Sequence, residues 1–288
     1  MYSFKFPAIG TQWQIDFPNN TSKDKLPELE RKIHKRIEEF DLEYSRFRKD
    51  SWVTKNSKQA GKVTIPNDLF PMLELYEEVY GLSEGLVTPM IGRTLEEAGY
   101  DADYSLVPKT LTHPPKFHNA IEFNKETITF KEHVLLDFGA CGKGYLADIV
   151  ALIIEKNGIA EYCIDASGDI LQKGPDVLRV GLEHPDDPTL AIGVANIQNR
   201  SICGSSGSRR KWDRFHHTIN PHTLTSPTEI KAVWTIADTC MLADILSTAL
   251  FLDPQPDLYK DFNFEYVLLY KDNTAEKSKD FPGELFTS

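Results

Sequence analysis

The chain has 288 residues, of which 41% are hydrophobic and 26% charged, enough for one large domain or two closely packed halves. Its formal net charge of −11 argues against a protein that neutralises nucleic-acid phosphates over a broad surface, because that needs a surplus of Lys and Arg. A small anionic ligand stays open, since one local cationic pocket suffices for it.

Residues 11–17 alternate strictly, with Trp13, Ile15 and Phe17 on one side and Gln12, Gln14 and Asp16 on the other, which predicts a half-buried strand. A helix is predicted over 24–44, where Leu26, Leu29, Ile33, Ile37 and Phe40 recur at helical spacing. A second helical pattern covers 67–80, with Asn67 as its N-cap and Leu69, Met72, Leu73, Tyr76 and Val79 on one face. The proline-rich stretch 108–118 reads as loop, and 121–130 as a hairpin turning at Asn124, Lys125 and Glu126. Val134, Leu135 and Leu136 read as a strand running into a glycine-rich turn, after which a helix opens at about Tyr145 and is capped at Gly158. Strands are predicted at 161–165, 177–182, 190–196 and 231–237, a helix at 241–252 and a last strand at 265–271. Strands and helices mix without regular βαβ alternation, and there is no internal repeat or low-complexity linker. The expectation is an α+β fold: a single large domain over 1–288 built of two packed halves, with mixed or antiparallel sheets and flanking helices.

The four cysteines, Cys141, Cys163, Cys203 and Cys240, include no CxxC pair, so neither a zinc ribbon nor a disulfide framework is expected. No stretch approaches the roughly 18 apolar residues of a membrane span. Met1–Ile9 lacks the apolar core of a secretory leader. The expectation is a reduced, cytoplasmic protein, or an exported one if a leader has been removed.

Three segments carry chemistry. Asp137-Phe138-Gly139-Ala140-Cys141-Gly142-Lys143-Gly144 joins a strand to a helix start, where backbone amides and the helix dipole favour an anion and Lys143 adds a cation. It is not a P-loop: only two residues separate Gly139 from Gly142, and Gly144 rather than Ser or Thr follows the lysine. Asp244 and Thr248 stand four residues apart on an otherwise apolar helix, so two oxygens project from one face, a set that suits a hard cation such as Mg²⁺. The plain alternative is an Asp favoured by the helix dipole and a Thr bonded back to a carbonyl. Ser205, Ser206 and Ser208 with Arg209, Arg210 and Lys211 suit an anion or make a solvated basic loop. His216 and His217, being adjacent, point to opposite faces of any strand and do not ligate one metal together.

Taken in order, these segments resemble the FAD:protein FMN transferase (ApbE-like flavin transferase) family. The resemblance runs from Ile9-Gly10-Thr11-Gln12-Trp13 through Ser45-Arg46-Phe47, Gly85-Leu86-Val87-Thr88-Pro89 and Ala98-Gly99-Tyr100-Asp101 to the glycine-rich turn. It continues through Ser167-Gly168-Asp169-Ile170, Ser205-Ser206-Gly207 and His217-Thr218-Ile219-Asn220-Pro221 to Ala243-Asp244-Ile245-Leu246-Ser247-Thr248. It implies an enzyme that binds FAD and a divalent cation, usually Mg²⁺, and transfers FMN to a threonine hydroxyl of an acceptor flavoprotein, releasing AMP. Carried over by position, Asp137 and Lys143 contact FAD, and Ile9, Phe47 and Ile219 sit at flavin-nucleotide contacts. The Ala140 carbonyl, Asp244 and Thr248 hold the metal. No residue is assigned as the general base.

This chain departs from the family pattern at several positions. Ser247 stands where many members carry a second acidic metal ligand, Ile9 replaces a usual Met, and Phe47 a frequent Tyr. Asn220 and Leu224 replace an Asp and a Gly of the His-x-Ile-Asp-Pro-x-Thr-Gly pattern. These departures keep two other readings in play: a flavin carrier that no longer transfers, and an FAD pyrophosphatase yielding FMN and AMP.

Overall fold

The structure is a computed structural model that describes residues 2–19, 21–208 and 210–286. Strands β1 (Tyr2–Ala8) and β2 (Thr11–Phe17) make a hairpin in register from Tyr2 opposite Phe17 to Ala8 opposite Thr11. The turn is tight enough to hold Ile9 at φ 42° before Gly10 at φ 75°. Strand β2 is the alternating segment read from the sequence, with Trp13, Ile15 and Phe17 buried. Helix α1 (Leu26–Tyr44) starts with a proline in its first turn and buries Leu26, Leu29, Ile33, Ile37, Phe40 and Tyr44, a stripe at three- and four-residue spacing. After the short helix α2 (Trp52–Asn56) and strand β3 (Gly61–Thr64), helix α3 (Leu69–Leu82) buries the predicted Leu69, Met72, Leu73, Tyr76 and Val79. Its cap is Asp68 rather than Asn67; the Asp68 carboxylate pairs with Arg36 of α1 instead of bonding its own helix.

Short helices α4 (Gly92–Glu97) and α5 (Phe117–Ala120) flank the loop over 101–116, and strands β4 (Ile121–Phe123) and β5 (Thr127–Phe130) form the predicted hairpin. Its turn is held by the Asn124 side chain, which accepts from the Glu126 and Thr127 amides at 2.9 Å each. The expected strand at 134–136 is absent. Val134, Leu135 and Leu136 are buried without joining a ladder, because the segment is pressed against α4, where a Cβ on Gly92 would lie 2.4 Å from the Leu135 carbonyl oxygen. Helix α6 (Gly142–Lys156) also opens three residues earlier than expected, so Gly142 and Gly144 belong to its first turn. Gly158, at φ 80°, ends it as predicted.

The remaining strands are β6 (Tyr162–Asp165), β7 (Ile170–Lys173), β8 (Leu178–His184), β9 (Asp187–Ile197), β10 (Ser201–Ser206), the two-residue β11 (Lys211–Trp212) and β12 (Phe215–His216), and β13 (Ile230–Ala237). Helix α7 (Cys240–Leu252) and strands β14 (Phe264–Tyr270), β15 (Ala275–Lys277) and β16 (Gly283–Leu285) close the chain. An eight-stranded sheet in the order β1-β2-β6-β7-β10-β13-β14-β15 is antiparallel at every pairing. Helix α6 packs between α1 and α7, and α7 lies against β10 and β13. A smaller sheet, β16-β9-β8, has its own core of Leu182, Ala195, Ile197 and Phe281. These are the mixed helices and antiparallel sheets that the sequence predicts. No helix among the described residues is long and apolar enough to cross a membrane.

Candidate functional site

Helices α6 and α7 touch at their N-terminal turns, and that contact builds the site. A Cβ on Gly144 would lie 2.3 Å from the Cys240 carbonyl oxygen and 2.8 Å from Asp244 Cβ, so only glycine permits the approach. The Gly144 amide donates to Asp244 Oδ2 at 2.9 Å across the junction. One turn further along α6, Asp148 accepts from the Cys240 and Met241 amides at 2.9 and 2.8 Å, while the Thr239 hydroxyl accepts from Leu242. The first donors of α7 are thereby satisfied, and the helix is fixed in rotation so that Asp244 faces the first turn of α6, while Thr248 lines the same cavity beside Ser205 of β10.

The floor of this corner is charged and largely buried. Lys143 Nζ lies 2.5 Å from Asp169 Oδ2, and Asp169 is 1% exposed. Burial opposes the Lys143 charge, but Asp169 and Asp244 outweigh it and hold the ammonium above the ordinary lysine range. Asp244 is buried too; burial first, then the negative charge of Asp169, pushes its carboxyl well above the usual carboxylate range despite Lys143. Burial likewise pushes Asp148 up to about 6 against the two amide bonds it accepts. One ammonium thus serves two carboxylates, and Asp244 is the one short of positive charge.

The cavity above this corner has a volume of about 670 Å³. All eight residues singled out from the sequence line it: Ile9, Phe47, Asp137, Ala140, Lys143, Ile219, Asp244 and Thr248. Its lining also includes a group of contacting rings, Phe47, Tyr100 and Tyr104. Buried Arg46 joins the rings to the glycine-rich turn: Nε meets Asp137 Oδ2 at 2.5 Å, Nη1 donates to the Tyr100 carbonyl at 2.6 Å, and Nη2 has no hydrogen-bond partner among the described residues.

The sequence model of the ApbE family matches residues 9–262. The chain belongs to the ApbE family. Among curated relatives, the protein named FAD:protein FMN transferase of Vibrio cholerae is 23% identical over 268 residues, covering 85% of this chain and 79% of its own. The Escherichia coli K12 protein of the same name is 22% identical over 269 residues, covering 85% and 76%. Among solved structures, the ApbE protein of Thermotoga maritima superposes with a TM-score of 0.84 at 19% identity, over 96% of this chain and 97% of that one. The flavin transferase ApbE of Vibrio cholerae gives 0.78 at 18% identity, over 96% of each chain. At these identities the structural likeness speaks for the fold, which is that of ApbE proteins.

Two expectations about the ApbE turn need correction. Its three glycine amides do not point at a ligand: Gly139 donates to Asp137 Oδ1, Gly142 to the Phe138 carbonyl and Gly144 to Asp244. None of the three sits at positive φ, so close approach rather than backbone freedom explains them. What the turn offers an anion is Lys143 and the helix start. Asp137 lines the cavity and holds Arg46 and Gly139 within the protein.

Ser247, the departure in α7, is fully buried; its hydroxyl lies 2.7 Å from Ser205 Oγ and donates to the Asp244 carbonyl. It ties α7 to β10. The two histidines part as expected. His216 contacts the Pro227 carbonyl at 3.2 Å, while His217 lines the cavity, its Nδ1 buried and without a hydrogen-bond partner among the described residues. Burial first, then His216, Arg210 and Lys143, lowers His217 to about 3, so its ring is neutral. Of the basic loop, Arg210 reaches the site, donating to the Tyr100 hydroxyl at 2.6 Å; Arg209 lies outside the described residues. Asp169 and Arg46 were not separable by sequence from other turn and surface charges, since only the fold buries them.

Proposed function

We propose that this ApbE chain transfers FMN from FAD to a threonine hydroxyl of an acceptor flavoprotein, with a divalent cation, Mg²⁺, held by Asp244, Thr248 and the Ala140 carbonyl. The observation that carries this reading is that Lys143, Asp244 and Thr248 line one 670 Å³ cavity together with the aromatic Phe47, Tyr100 and Tyr104. A dinucleotide offers partners for both kinds of lining: a charged diphosphate and flat rings. The names of the relatives, FAD:protein FMN transferase, point to the same chemistry.

The donor set fits the cation. A buried carboxylate short of positive charge, a hydroxyl and a carbonyl form an all-oxygen set with one formal charge. Such a set holds Mg²⁺ together with waters and substrate phosphates rather than as a closed protein cage. When bound, the cation neutralises charge that builds on the phosphoryl oxygens.

The chain's own groups do the rest. Lys143, kept ionised by Asp169, faces the diphosphate as a fixed positive charge. The acceptor threonine oxygen attacks the phosphorus on the riboflavin side, its bond to the bridging oxygen breaks, and AMP leaves with that electron pair. The threonine proton goes to the neutral ring of His217, which lines the cavity. The negative diphosphate raises the basicity of that ring on entering.

The test incubates the protein with FAD, Mg²⁺ and a candidate acceptor domain and seeks an FMN adduct on threonine by mass spectrometry. Free FMN and AMP without an adduct assign it as a pyrophosphatase, and intact FAD as a carrier; either result refutes transfer.

A further inference from the structure

Tyr104 belongs to no segment of the family pattern, yet it occupies a decisive place in the cavity. Its ring stacks on Phe47 with centroids 5.3 Å apart and planes 12° from parallel. The other aromatic neighbour of Phe47, Tyr100, is 5% exposed and locked: it stacks on Trp212 at 5.6 Å, and its hydroxyl accepts from Arg210. Tyr104 is 50% exposed. Of the rings around Phe47, it is therefore the one able to move.

The backbone places this ring deliberately. Tyr104 and Leu106 sit at φ 49° and 53°, a region bulky residues rarely adopt. The Asp101 carboxylate holds the turn, accepting from the Asp103 and Ser105 amides at 3.1 and 2.9 Å and from the Ser105 hydroxyl. The stem is closed by Leu106 donating to the Gly99 carbonyl at 2.9 Å, and a Cβ on Gly99 would lie 2.6 Å from the Val107 nitrogen. A strained residue on a fastened turn, half exposed and stacked inside a cavity, signals a site rather than a loop tip.

A second observation specifies what the rings receive. Arg46 Cζ lies 4.2 Å from the Phe47 centroid and 4.9 Å from that of Tyr100, and its Nη2 is buried without a hydrogen-bond partner among the described residues. A donor beside stacked rings suits a flat ring with polar edges, not a hydrocarbon.

We propose that Phe47 and Tyr104 form an aromatic clamp: a flat heteroaromatic ring of the dinucleotide inserts between them, with Arg46 Nη2 donating to its edge. The inference rests on the FAD reading above and adds Tyr104 as the residue that retains the ring. Both the isoalloxazine and the adenine have the required chemistry, and the test separates them.

Binding of FAD, FMN and ADP to the full chain is measured by calorimetry for the wild type, Y104F, Y104A and Y104N; Asn tolerates positive φ, so Y104N removes the ring without keeping the backbone strain. Y104A and Y104N are expected to weaken FAD about tenfold, the scale of one lost ring stack, and Y104F to bind like the wild type. A loss shared by FMN but not ADP places the isoalloxazine in the clamp, and the converse places the adenine there. Unchanged or tighter FAD binding in Y104N overturns the clamp, tighter binding because it makes Tyr104 a plug that the ligand displaces. A wild type that binds no FAD at all refutes the FAD reading itself, a result distinguishable from loss of the clamp alone.

Discussion

Replacing Asp244 by Asn separates what the site costs from what it does. The carboxylate is 5% exposed, repelled by Asp169, and shares the single Lys143 ammonium. The amide keeps an oxygen for the Gly144 N–H and removes the charge. A buried carboxylate without full compensation costs several kcal/mol; with Lys143 offsetting part of that, the gain from Asp244→Asn is about 1–2 kcal/mol. For a chain of this size the melting temperature then rises by about 2–4 °C. The pH dependence has a definite sign. A carboxyl raised in the folded state gives its full stabilisation below its unfolded value, near 3.8, and loses it as pH climbs through the folded one. Wild type and variant therefore coincide in acid and diverge toward neutrality, the variant being the more stable. Thermal unfolding from pH 4 to 8, with chelator or Mg²⁺, checks this. Mg²⁺ is expected to raise the wild-type melting temperature and leave the variant unmoved, while flavin transfer falls about 10²-fold or more in the variant. A variant that is less stable at neutral pH, or one that Mg²⁺ stabilises as much as the wild type, refutes the placing of the cation at Asp244.

Gly144→Ala drives a methyl into the Cys240 carbonyl at 2.3 Å and is expected to cost about 3 kcal/mol in denaturant unfolding while weakening Mg²⁺ stabilisation. Asp148→Ala strips two amides at the start of α7 of their acceptor, with an expected loss of about 2 kcal/mol by the same measurement. His217, lowered to about 3, gives stability that is complete above its unfolded value of 6.5 and lost as pH falls toward the folded one. His217→Gln is expected to flatten that acid limb, worth up to about 4 kcal/mol, and to abolish transfer at saturating FAD. Mg²⁺ is expected to tighten FAD binding in the wild type by about tenfold, read by calorimetry, and to have no such effect in Asp244→Asn.

Elements with strong periodicity were legible in the sequence, and those made by tertiary contact were not. The α1 stripe from Leu26 to Tyr44 and the alternation of β2 are set by the residues themselves. The segment at Val134–Leu136 has the composition of a strand, but its neighbour is α4, brought close by Gly92, and no strand lies beside it to bond with. Strands β7 and β10 were not predicted, because short runs such as Ile170–Lys173 and the polar Ser201–Ser206 lack alternation; they are strands because the central sheet supplies partners on both sides. At the site, residue type and order singled out Lys143, Asp244 and Thr248, and the fold brings them to the lining of one cavity. The glycines were expected to offer their amides to a ligand, and only the structure shows them consumed by Asp137, Phe138 and Asp244.

Charge accounting ties these points together. The charged groups acting on one another at the α6–α7 corner are Lys143, Asp148, Asp169 and Asp244, one positive and three negative, so the corner carries two net negative charges when all four are ionised. A diphosphate does not enter such a corner unaided, since it would face a buried carboxylate. The chain does not solve this with a further acidic metal ligand at position 247, where Ser247 instead bonds Ser205 and the α7 backbone. Asp169 fixes Lys143 in place and at the same time raises the cost of an ionised Asp244, which a divalent cation relieves. In the proposed reading the same carboxylate orients the ammonium toward the diphosphate and favours a cation beside Asp244, so ligand and cation are expected to enter the site together.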